Sequence, residues 1–158
     1  MNSRVVTLLT TLASLAACAQ TAPQSTAARP EFLNSAESLK SGRPFSEAVR
    51  IGGFIFLAGQ IGIDPATGKP AAGGIRPEAR QALQNIQTVL EQNGASLANV
   101  VKCTVFLADI GEWATFNEVY QEFFRPPYPA RSALGTNGLA LGARVEVECI
   151  AYVEPAAH

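Results

Sequence analysis

The stretch "RVEVECIAYV" (Arg144–Val153) alternates strictly, residue by residue. In an extended chain Val145, Val147, Cys149, Ala151 and Val153 point one way, and Glu146, Glu148, Ile150 and Tyr152 the other. The first set is uniformly apolar and suits a face beneath helices. The second mixes two carboxylates with Ile150 and Tyr152, a composition that suggests a partner subunit more than plain solvent. Such a strand belongs to a sheet with helices on one side only.

Working outward, "RPPYPARSALG" (Arg125–Gly135) places Arg131 just after a Pro-rich corner, at the start of another strand. A guanidinium there has two readings. It forms an ion pair with a glutamate of a nearby strand, Glu146 or Glu148, or it anchors an anionic ligand. Further upstream, "VVKCTVFLAD" (Val100–Asp109) is β-branched and apolar throughout and reads as a buried strand. From Pro77 to Asn93, Ala79, Leu83, Ile86, Val89 and Leu90 recur at helical spacing, with Pro77 in the first turn and Gly94 as the stop. A second helix carries Trp113, Phe116, Tyr120, Phe123 and Phe124 on a stripe expected to be core, and Pro126-Pro127 ends it. Two strands in Phe45–Gly62 flank Gly52-Gly53, a hairpin signal. The order of elements predicts an α+β fold, a mixed β-sheet with two helices packed on one face.

Composition limits the function. The 158 residues suit one domain, and 47% hydrophobic against 16% charged residues suits a packed core. A net charge of -1, a pI near 5.8 and no Lys/Arg cluster argue against nucleic-acid partners. The one histidine is the last residue, His158, so no metal site and no histidine base is expected. Acid–base work falls to carboxylates, tyrosines, backbone groups or water.

The N-terminus reads as an export signal. Arg4 precedes an apolar run from Val5 to Leu15, short of the ~20 residues a spanning helix requires. "LAAC" (Leu15–Cys18) has lipobox form, giving a signal peptide 1–17 and a lipidated Cys18; ordinary cleavage after Ala19 is the competing reading. The expected location is periplasmic, anchored to the outer membrane through lipid alone. Residues 18–40, beginning "CAQTAPQSTAARP", read as a tether, with the folded domain at 41–155 and its start between Glu31 and Pro44. Cys103 and Cys149 read foremost as two small buried apolar side chains. An oxidising compartment also permits a disulfide if their strands are adjacent.

With these pieces in order, the chain resembles the Rid (reactive intermediate deaminase, YjgF) family. "RPFSEAV", "LAGQIGIDPATG", "GGIRPEARQALQNIQTVL", "VVKCTVFLADIGEW", "FNEVYQEFF", "YPARS" and "VEVECIA" carry the likeness from Pro44 to Val153. The resemblance implies a chorismate-mutase-like fold, a homotrimer with clefts between subunits, and no cofactor. It implies hydrolysis of 2-imino and enamine acids to 2-keto acids and ammonia. Arg131 is then the substrate-carboxylate anchor and Glu146 the residue that orients water, with Asn117, Gly59, Gln60, Phe45 and Ala133 lining the cleft. Phe45, Ala58, Ala133 and Ala140 depart from the tyrosine, serine, cysteine and proline found at these positions in other members. A non-catalytic, small-carboxylate-binding trimer of the cell envelope is the alternative; RNA cleavage fits the charge poorly.

Overall fold

A computed structural model describes residues 28–155. The expected signal, Cys18 and most of the tether lie outside the described residues. One mixed sheet runs in the order β1 (Glu31–Leu33), β2 (Ala48–Ile51), β3 (Phe54–Leu57), β9 (Val145–Tyr152), β7 (Val100–Leu107), β8 (Ala130–Gly135). A short β4 (Gln60–Ile61) also pairs with β9, and β5 (Ile63–Asp64) and β6 (Lys69–Pro70) form a separate small hairpin. All pairings are antiparallel except β7 with β8. That parallel pair is joined through α3 (Trp113–Phe123), as a parallel pair requires a crossover. The last strand of the chain thus sits in the middle of the sheet.

The turn between β2 and β3 is the expected two-residue one. Gly52 takes φ of +57°, a conformation costly for any residue with a Cβ. The long helix α2 (Ile75–Gln92) starts two residues before Pro77 and lays Ala79, Leu83, Ile86 and Leu90, all fully buried, on the sheet. Opposite them are Val105, Leu107, Val145 and Val147, also fully buried, each worth about 1.5–3 kcal/mol of transfer free energy. α3 packs beside α2 on the same sheet face and buries Phe116, Val119 and Tyr120. Arg76–Glu118 and Arg80–Glu122 bridge the two helices on their solvent side.

Residues 31–40, expected as the end of a tether, are part of the fold. β1 pairs with β2 and α1 (Ala36–Lys40) follows it. Ser35 caps α1 by accepting from the Ser38 amide, and its own amide donates to the Glu47 carboxylate at 2.6 Å. Asn34 accepts from the Glu47 amide at 3.1 Å. This polar knot, made across 12 or 13 residues, holds a segment too short to show periodicity.

Alternation along β9 is as expected: Val145, Val147, Cys149 and Ala151 are buried beneath the helices. The far face stays uncovered in the single chain. Phe54, Phe56 and Tyr152 are each two-fifths or more exposed there, with Phe54 and Tyr152 paired across β3 and β9 at 4.9 Å between rings. Cys103 and Cys149 stand directly opposite in the β7–β9 register and are joined as a disulfide. The pair is buried, as expected, but not as two free thiols, because the register sets the two sulfurs face to face.

Candidate active site

Arg131 lies on β8 in register with Cys103 of β7. Aligned residues of paired strands share a face, so its side chain rises on the helix side, against α3. Its guanidinium carbon sits 4.6 Å from the centre of the Tyr120 ring and 5.8 Å from that of Phe116. Nη2 donates to Asn117 Oδ1 at 2.6 Å. A single turn of α3 therefore supplies both the stacking surface and the polar brace. Burial pushes the Tyr120 hydroxyl pKa up, and the Arg131 charge pulls against that.

Among the described residues no carboxylate lies within ion-pair distance of Arg131, whereas Arg50, Arg76, Arg80 and Arg144 each have one. Glu148 balances neither Arg131 nor Arg144: it faces Thr104, and Arg144 pairs with Glu112. Within the single chain, and among the described residues, the ion-pair reading of Arg131 finds no partner. The guanidinium opens instead on a cleft of about 470 Å³, lined with it by Ile110, Trp113 and Ala133.

Glu146 is elsewhere. It pairs with Phe106 and with Ile61, on the open face of the sheet, two strands from Arg131. Gly59 is packed directly against it: a Cβ there would overlap Glu146 Oε1 and stand 2.8 Å from Cδ. Gln60 begins β4 opposite Val147. Phe45 lines a third place, a cavity of about 580 Å³ shared with Phe32, Arg43 and Val49. Phe32 and Val49 are paired across β1–β2, and Val49 aligns with Phe56 of the open face.

The expected site residues therefore fall into separate groups. Arg131, Asn117 and Ala133 meet on the helix side of the edge strand, whereas Glu146 and Gly59 meet on the open face. One chain does not bring Arg131 and Glu146 together, because the registers through β7 set the two strands in opposite phase. Two residues of interest were misread or unread. Trp113, placed in the core stripe, is nearly half exposed at the first position of α3. Glu78 lies in the buried stripe of α2, 3% exposed, and accepts from the Arg144 amide at 2.6 Å. An acid in phase with Ile75, Ala79 and Leu83 was its signal in the sequence. Among the described residues no cluster of His, Cys, Asp or Glu could hold a metal ion.

A family model described as Endoribonuclease L-PSP matches residues 35–153. The chain belongs to the Rid/YjgF family. It is 42% identical over 125 residues to the 2-iminobutanoate/2-iminopropanoate deaminase of Bos taurus, covering 79% of this chain and 91% of that one. It is 46% identical over 111 residues to a RutC family protein of Pyrococcus abyssi, covering 70% and 87%. Among solved Rid structures, RidA from an Antarctic Psychrobacter matches with a TM-score of 0.68 at 38% identity, covering 71% of this chain and 90% of that one. E. coli TdcF with bound serine matches at 0.67 and 33% identity, covering 71% and 90%. The mixed sheet with both main helices on one face is the fold these Rid proteins share.

Proposed function

We propose that this chain is a cofactor-independent deaminase that hydrolyses 2-imino acids and their enamine tautomers to 2-keto acids and ammonia. The observation that carries the reading is Arg131: a guanidinium braced by Asn117 and two aromatic rings, with no carboxylate partner among the described residues, opening on a cleft. Its planar fork suits a carboxylate bound by two charge-assisted hydrogen bonds. That fixes the adjacent imine carbon, and positioning removes much of the entropic barrier to attack by water. Water adds to the protonated imine carbon, forming the C–O bond. The resulting carbinolamine then expels ammonia as the C–N bond breaks and the carbonyl forms. Glu146 is the group that aligns the water.

Because Arg131 and Glu146 occupy opposite faces, the site is completed only when the open face of one copy meets the β8 edge of another. The exposed Phe54, Phe56 and Tyr152 support that assembly, which we propose to be a homotrimer. The Cys103–Cys149 bond supports an oxidising compartment, in keeping with an exported, lipid-anchored chain.

The test is ammonia release from enzymatically generated 2-iminobutanoate. Arg131→Ala removes two charge-assisted bonds, about 3–6 kcal/mol, so kcat/KM should fall by roughly two to four orders of magnitude while the assembly persists. Full activity in Arg131→Ala would overturn the mechanism. Phe45, with no hydroxyl to offer, favours the second reading of a non-catalytic carboxylate binder; absence of turnover in the parent selects it. Cys18→Ser should move the protein out of the membrane fraction, and unchanged partitioning would rule out the lipid anchor.

A further inference from the structure

The Arg131 cleft carries two large apolar side chains on its wall, Ile110 and Trp113. Along the helix side of β8 the residues are Arg131, Ala133 and Gly135, a floor that steps down in size away from the cation. Gly135 has no side chain where Ile110 lies: a Cβ there would stand 3.1 Å from Ile110 Cβ. Ile110 is thus seated on the low end of the floor, and Trp113 stands beside it at the first position of α3. Both are large apolar residues left about half exposed in the single chain, at 53% and 46%, beside a cation with no carboxylate partner among the described residues.

We propose that this cleft selects 2-imino acids with bulky apolar side chains, aromatic ones foremost, and that Trp113 and Ile110 determine that specificity. The inference rests on the deaminase reading and names its substrate class. With the carboxylate on Arg131, a side chain running over Ala133 reaches the indole and the Ile110 methyls. A two-carbon side chain ends over Ala133 and leaves that wall wet. Ring–ring packing on Trp113 adds to the area removed from water.

Two measurements on the full chain test this. The first is kcat/KM for the imines that an L-amino-acid oxidase makes from phenylalanine and from 2-aminobutanoate. The second is calorimetric binding of phenylpyruvate and 2-oxobutanoate, which does not depend on turnover. The parent should favour the phenyl compound at least tenfold in both. Trp113→Ala should reduce that preference about tenfold or more, losing more for the phenyl compound than for the small one, and Ala133→Leu should narrow it by blocking the floor. Turnover that favours the small imine, or a Trp113→Ala variant that weakens both compounds equally, overturns the inference and leaves the deaminase reading standing. No turnover of either imine, with phenylpyruvate still bound more tightly through Trp113, overturns the deaminase reading and keeps the specificity. Binding of neither keto acid overturns both.

Discussion

Reducing the Cys103–Cys149 bond should cost this fold about 4 kcal/mol. The bond closes a loop of 46 residues, which contains the crossover helix and β8. Freeing a loop of that length returns about 13 cal/mol/K to the unfolded chain, which at 25 °C is about 4 kcal/mol. The folded state changes little, since both sulfurs are buried and β7 and β9 remain paired without the bond. The assay is urea unfolding at one fixed protein concentration. The oxidised protein is compared with protein that has been unfolded, reduced and refolded in reductant. With a slope near 2 kcal/mol/M, the midpoint should drop by about 2 M. A Cys103→Ala/Cys149→Ala variant should fall a further 1–2 kcal/mol or so, because it also loses two buried side chains. Identical midpoints in the two redox states would refute the reasoning. So would alkylation of both cysteines in denatured, unreduced protein.

Other outcomes follow from single contacts. Gly59→Ala should leave the assembly intact and cost about 1 kcal/mol or less, because the atom it strikes ends a side chain that can swing aside. Ammonia release should still fall at least tenfold as the Glu146 carboxylate is displaced; unchanged turnover would remove Glu146 from the mechanism. Glu78→Ala strands the Arg144 amide at the start of β9 and should cost about 1.5–3 kcal/mol in urea titration. Tyr120→Phe removes a buried hydroxyl that has no hydrogen-bond partner among the described residues, so stability at pH 7 should hold or rise by about 1 kcal/mol. The folded pKa of Tyr120 is raised above the usual value near 10, so its contribution is complete below pH 10 and is lost as pH rises through the folded value. The difference between parent and Tyr120→Phe should therefore grow on the alkaline side; a flat difference would contradict the burial argument.

What could be read in the sequence was what short-range patterns encode. The turn at Gly52-Gly53, the buried stripe of α2 and the two faces of β9 each depend on a handful of neighbouring residues. The family's motifs named Arg131 and Asn117 separately as cleft residues, and the structure brings them within a hydrogen bond. Relations set by register were not legible. Alternation says which residues of one strand share a face, but not how that face aligns with another strand two places away. Arg131 and Glu146 were separated in this way, and the two cysteines were joined in this way. Trp113 escaped because a helical stripe does not say at which end of the helix burial stops. β1 and α1 escaped because a polar knot around Glu47 holds them, which no periodicity announces.

The central place of β9 has a consequence for synthesis. Chain order delivers β1–β3 first, then β7 and β8, and only at the very end the strand that lies between them. Until then the nascent protein is two half-sheets with raw edges, each able to pair with the wrong neighbour. The Glu78 carboxylate meanwhile waits 66 residues for the amide it will accept from. Losing Val145–His158 would therefore do more than trim a terminus: it would remove the keystone and leave both halves open to aggregation.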